Sequence, residues 1–213
     1  MSTILEQIKE AVIGGKHKQI EGLVRTAIDE KVDLNQVIND SLIAAMDTIG
    51  NKFGCGEVFV PEMLVSALTM KKALAIIKPL LKGADSRSQA KVLMGTVKGD
   101  LHDIGKNLVS IMLEGAGFEV VDLGVDLNAE KLVDKVAEIK PHIVGLSALL
   151  TTTMPEMQKV ISAMQERGLR SSVKVMIGGA PVDAKFAEKI GADGYGRDAG
   201  EAVQLARRLV AQN

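Results

Sequence analysis

The stretch Gly99-Asp100-Leu101-His102-Asp103-Ile104-Gly105 sets an imidazole between two carboxylates and is bounded by glycines. Three chemistries suit such a group. A histidine beside aspartates can be a hydrogen-bonded structural residue, with Asp103 capping a helix expected over 104–113. Recurring glycines can cradle a phosphate, but the chain has no Gly-x-Gly-x-x-Gly or Walker pattern, and Asp100 and Asp103 would repel the anion. The third chemistry is metal ligation: an imidazole binding through one nitrogen donates its other N–H to a carboxylate, and Asp100 is near enough in the chain to accept it. This stretch alone leaves the alternatives open.

The elements that must carry it follow from hydrophobic periodicity. Up to about residue 83, apolar residues recur at helical spacing, with one stripe at Ile4, Ile8, Val12 and Ile13. Ile20, Leu23, Val24, Ala27 and Ile28 form a second stripe, and Val37, Ile38, Leu42, Ala45, Met46 and Ile49 a third. With a segment opened by Pro61, four helices are expected. Residues 84–89 are small, polar and aperiodic, so they read as a linker between a helical domain over 1–83 and a second domain over 90–213. In that second domain, short apolar runs with β-branched content fall at 92–97, 118–122, 143–147 and 173–177, with a weaker one at 193–196, and helical patterns separate them. Alternating strand and helix makes βαβ units. The expected fold is therefore a helical bundle followed by a five-stranded parallel sheet covered on both faces, in the flavodoxin-like order 2-1-3-4-5.

Ligands of such sheets bind beyond the carboxyl ends of the strands. The His102 loop follows the first strand, Ser147-Ala148-Leu149 closes the third, and Gly178-Gly179 closes the fourth.

Composition narrows the function. With 26 basic and 27 acidic residues the formal charge is −1, which does not suit a polyanion-binding surface. No Trp, one Tyr and four Phe leave few ring faces for stacking nucleic-acid bases. The lone cysteine, Cys55, excludes an intrachain disulfide and any multi-cysteine metal site, and with no apolar run of membrane-spanning length a cytoplasmic protein is expected.

Between Gly105 and Ser147 lie 41 residues, and between Leu149 and Gly178 lie 28. Asp-x-His-x-x-Gly, Ser-x-Leu and Gly-Gly at these separations resemble the cobalamin-binding signature of methionine synthase and the methyltransferase corrinoid proteins. The helical half, ending in Phe53-x₅-Phe59-Val60-Pro61-Glu62, resembles the helical cap of the same family, so the likeness covers nearly the whole chain.

The resemblance implies roles. In the family the cofactor's dimethylbenzimidazole tail leaves cobalt and threads into the sheet, and a protein imidazole replaces it. By position His102 is that axial ligand, Asp100 accepts its other N–H, and Thr153, six residues after Ser147, supplies a hydroxyl where methionine synthase has Ser. Ser147 would bond the buried tail base, and Gly178 and Gly179 would let backbone approach the tail. The loop residues Gly99, Leu101, Asp103, Ile104, Gly105 and Leu149 would line the cofactor, and Thr151 and Ala199 match positions that touch the corrin or its side arms. Phe53 and Val60 match positions that roof the upper corrin face and shield the methyl group. Asn39 stands where methionine synthase has a Glu that touches the corrin, so that contact is not carried over.

The implied function is a methyl carrier cycling between Co(I) and methyl-Co(III), inactive as an enzyme on its own. It would take the methyl from a substrate-specific methyltransferase and pass it to an acceptor methyltransferase using tetrahydrofolate or a similar acceptor, with a reductive activase restoring the cofactor. Two rivals share the loop signature. A cobalamin-dependent mutase subunit normally lacks the four-helix cap, and a cobalamin-dependent sensor needs a DNA-binding module, for which no basic helix is present.

Overall fold

The computed structural model describes residues 2–81 and 90–211; the expected linker at 84–89 lies outside the described residues. Those residues fall into two compact units, one holding 2–81 with 115–117 and the other 90–114 with 118–211.

The helical unit contains four rods. α1 (Ile4–Ile13) starts at a reciprocal cap in which the Thr3 hydroxyl accepts the Glu6 N–H and the Glu6 carboxylate accepts the Thr3 N–H. α2 (Ile20–Asp29) follows. The third rod is a composite: α3 (Leu34–Gln36), a π-helical segment (Val37–Ile43) and α4 (Ala44–Gly54) run on without a break. α5 (Val60–Ile77) carries Pro61 in its first turn, where a missing N–H costs nothing. Ile8, Val12, Ile20, Val24, Leu42, Met46, Met63 and Met70 from these rods are buried, so the stripes in the sequence are the core of this unit. Within the core, the Ser41 hydroxyl donates to the Leu5 carbonyl at 2.9 Å, which satisfies it without water.

The second unit is an all-parallel five-stranded sheet in the order β2-β1-β3-β4-β5: β1 (Lys91–Thr96), β2 (Glu119–Asp122), β3 (Ile143–Ser147), β4 (Lys174–Gly178) and β5 (Gly194–Tyr195). α6 (Ile104–Gly115), α7 (Ala129–Ile139), α8 (Met154–Glu166), α9 (Ala184–Ile190) and α10 (Ala199–Ala211) make the crossovers and the last helix. Central strands covered on both faces should be continuously apolar. β1 and β3 are buried through most of their length, whereas the edge strand β2 is not. Leu93, Val97, Leu132, Val144, Leu146, Val160 and Val175 belong to one cluster under α7 and α8.

Register decides where the site forms. Thr96 of β1 pairs with Ser147 of β3, and Ser147 pairs with Gly178 of β4. Three motifs far apart in sequence therefore leave the sheet side by side on one edge.

Candidate functional site

At that edge Asp100 is the hub. Its side chain is fully buried, yet both carboxylate oxygens are occupied. Oδ1 accepts the His102 backbone N–H at 3.0 Å and faces His102 Nδ1 at 2.7 Å. Oδ2 accepts the Leu149 N–H at 2.7 Å, the longer Leu150 N–H at 3.4 Å and the Thr153 hydroxyl at 2.8 Å. Burial opposes ionisation of Asp100, but the backbone N–H groups of Leu149 and His102, then the imidazole and the Thr153 hydroxyl, outweigh it and hold the carboxyl well below the usual carboxylate range. An ionised acceptor at Nδ1 assigns the imidazole proton to that nitrogen.

The opposite nitrogen, Nε2, has no hydrogen bond among the described residues, and the His102 side chain is 53% exposed. Around it stand large apolar side chains that a chain normally hides: Leu101 is 72% and Ile104 77% exposed, with Leu149 and Leu150 each about two-fifths exposed. No three His, Cys, Asp or Glu side chains gather into a metal site among the described residues. One outward imidazole nitrogen on an apolar platform suits a metal whose remaining ligands would come with it rather than from the protein.

The remaining loop residues divide by burial. Thr151 is exposed, Ser147 half-buried at the end of β3, and Ala199 buried in the first turn of α10. The Asp103 carboxylate accepts the Asn107 side-chain amide at 3.0 Å, one turn into α6. Gly179 has φ +132°, and a Cβ there would stand 1.8 Å from the Ala148 carbonyl oxygen, so the protein's own backbone already demands glycine at this crossing. Gly99 also lies in the left-handed region, at φ +78°. Gly105 has open space at its Cβ position. Phe53, in the last turn of α4, and Val60, the first residue of α5, are half-buried in the helical unit.

Two contributors escaped the sequence analysis. Thr96, fully buried, donates its hydroxyl to the His102 carbonyl at 3.1 Å and so tethers the ligand loop to the end of β1. Lys106, on α6, is also buried; its ammonium meets the Asp122 carboxylate at the end of β2 and the Asn107 side-chain oxygen. On sequence pattern each reads as an ordinary strand or helix position. No sequence signal marks Lys106: its neighbours are Gly105 and Asn107, and the next buried position on its face of α6 is Ser110.

Residues 90–204 match the family model described as a B12 binding domain, and residues 4–78 match a second model with the same description. The chain belongs to the B12-binding corrinoid protein family. Its cofactor is cobalamin. A corrinoid protein of Desulfitobacterium hafniense is 40% identical over 98% of both chains, and the dimethylamine corrinoid protein 1 of Methanosarcina acetivorans is 42% identical over 98% of both. Among solved structures, a cobalamin-binding protein of D. hafniense aligns with TM-score 0.81 and 34% identity over 96% of this chain and 98% of that one. The methanol:cobalamin methyltransferase complex of Methanosarcina barkeri aligns with TM-score 0.87 and 29% identity over 99% of this chain and 80% of the other. Among the described residues of this B12-binding protein, no helix is long and apolar enough to cross a membrane.

Proposed function

We propose that this chain is the methyl-carrying corrinoid subunit of a methyltransferase system, with His102 as the axial ligand to cobalt. The observation that carries the reading is the chain Thr153–Asp100–His102, which aims a free imidazole nitrogen out of an apolar platform. When bound, the cofactor supplies the cobalt that accepts a methyl group and gives it up. The protein's part is to hold that cobalt on Nε2, orient the ring, and manage one proton.

Asp100 keeps Nδ1 protonated and Nε2 available as a donor of its lone pair. Both Asp100 oxygens already accept hydrogen bonds, so the carboxylate stays an acceptor toward Nδ1. The ring proton thus stays on Nδ1, facing Asp100 Oδ1. Thr153 Oγ1 has one proton and two acceptors in reach, Asp100 Oδ2 at 2.8 Å and the Leu150 carbonyl at 2.9 Å, so a rotation of the hydroxyl adjusts the charge felt by the imidazole. Ser147 is assigned to the tail base, and Gly178 and Gly179 to the passage of the tail. Thr151 and Ala199 are assigned to the corrin rim. Phe53 and Val60 enter on the family likeness as the apolar shield of the methyl group.

The partners in this reading are a substrate-specific methyltransferase, an acceptor methyltransferase and a reductive activase. Relatives named for dimethylamine and trimethylamine, and a structural match to a methanol:cobalamin complex, support a carrier rather than a mutase subunit or a sensor.

Electron paramagnetic resonance of the reconstituted Co(II) protein tests the ligand. A single axial nitrogen in the wild type, lost in His102→Gln with weaker cofactor retention, is the expected result. Absence of that nitrogen from the wild-type spectrum would rule the reading out. For the carrier role, the purified protein should take up about one methyl per cofactor only when a methyltransferase is added, and sustained turnover by the isolated chain would contradict it.

A further inference from the structure

Asp100 can serve as hub only if its backbone is held still, and Asp126 holds it. Asp126 lies in the connection from β2 to α7 at φ +53°, a left-handed conformation that few residues with a Cβ adopt and that Asn and Asp tolerate best. In that conformation its N–H donates to the Asp100 carbonyl at 3.1 Å and its Oδ1 accepts the Gly99 N–H at 2.8 Å. One bond grips the amide entering Gly99 and the other the carbonyl leaving Asp100, so the two residues are bracketed from both ends.

The bracket has a fixed base. The next residue, Leu127, is buried, forms a parallel bridge with Val97 and donates its N–H to the Thr96 carbonyl at 3.1 Å, while Thr96 N–H donates to the Gly124 carbonyl at 3.0 Å. Asp126 is therefore attached to the same strand end that the His102 loop leaves. A tilt of ~20° in the Asp100 backbone would carry its carboxylate by ~1 Å, enough to break hydrogen bonds of ordinary length. That carboxylate has to meet His102 Nδ1 and Leu149 N–H at once, both at 2.7 Å.

We propose that Asp126 is a positioning residue: a two-point clamp on Gly99 and Asp100 that sets the direction of the Asp100 carboxylate and, through it, the plane of the His102 ring. The consequence for the cofactor rests on His102 being the cobalt ligand, as proposed above; the clamp itself is a property of the protein without cofactor.

Three full-length variants separate conformation from clamp. Asp126→Asn keeps an acceptor and tolerates the left-handed backbone, Asp126→Gly tolerates the backbone but has no acceptor, and Asp126→Ala loses both. The first readout is amide hydrogen exchange in the apoprotein. Gly99 and His102 should exchange ~10-fold faster in Asp126→Gly, should match wild type in Asp126→Asn, and should be fastest in Asp126→Ala. The second is the Co(II) spectrum after loading with cobalamin, in which the fraction with axial nitrogen should drop in Asp126→Gly and recover in Asp126→Asn. Unchanged exchange at Gly99 and His102 in Asp126→Gly overturns the clamp whatever the spectrum shows. An equal rise at core amides such as Val144 and Val175 means general destabilisation and overturns it too. If the wild-type spectrum lacks an axial protein nitrogen, the ligand reading falls, and the exchange comparison still decides for or against the clamp.

Discussion

The hydroxyl of Thr153 lies 2.8 Å from Oδ2 of Asp100, although the two residues are 53 positions apart in the chain. They meet because β1 and β3 are paired and the loops leaving them share one edge of the sheet. The hydroxyl is buried, so it cannot exchange this partner for water without cost.

Thr153→Val, equal in shape and lacking the donor, should therefore cost about 1.5–3 kcal/mol, the range for a hydrogen bond to a charged group. Thr153→Ser should stay within about 1 kcal/mol of wild type, since the donor survives. Urea unfolding of the three apoproteins at neutral pH checks this, and a Val variant as stable as wild type would show that the Leu149 and Leu150 N–H groups suffice for Oδ2.

Asp100 also makes a prediction about acid. Its carboxyl is held below its ordinary value of 3.8 in the folded chain, so the folded state releases this proton more readily than the unfolded state does. Between those two values the unfolded chain binds more protons, and stability rises with pH. The contribution is complete above the ordinary value, so it is flat through neutral pH, and it is lost as pH falls below about 4. Stability of the apoprotein measured from pH 6 down to pH 3 should fall more steeply for wild type than for Asp100→Asn. Parallel curves would mean that other carboxylates govern acid unfolding.

The Lys106–Asp122 pair is asymmetric. The lysine side chain is 1% exposed and the aspartate 36%, so either partner alone faces a different solvent. Removing Lys106 leaves a carboxylate that water can reach, and Lys106→Met should change stability by less than about 1 kcal/mol. Removing the carboxylate strands a buried ammonium with one neutral oxygen from Asn107, and Asp122→Ala should cost about 3 kcal/mol. Guanidinium melts of both variants give the ordering; equal losses would contradict the solvent argument.

The parallel sheet and its order were legible because β-branched runs alternated with helical stripes, and chain crossovers of one hand leave few arrangements for such a pattern. Asp100 and His102 stand out by residue type and spacing, Thr153 only through the family resemblance, and the structure brings all three into one hydrogen-bonded chain. Other features were hidden for physical reasons. The π-helical turn at Val37–Ile43 keeps the apolar stripe in place, so periodicity does not distinguish it from α-helix. Asp126 looks like any acid in a loop until its φ is known. Lys106 has a charged side chain, and pattern reading sends charges to the surface, whereas here an edge-strand carboxylate draws it in. Gly179 was legible as a special position, but the close contact it makes is with the Ala148 carbonyl.

The pairing of Thr96 with Ser147 bears on how the protein matures. Oδ2 of Asp100 is satisfied by N–H groups from the far side of that pairing, at Leu149 and Leu150, so this oxygen has its partners only after two strands that are not consecutive in the chain have paired. Contacts of long sequence separation form late, because loop closure must be paid before they reward the chain. A chain in which β1 and β3 have not paired therefore keeps the local contact between Asp100 and His102 but lacks the three donors that hold Oδ2 in place.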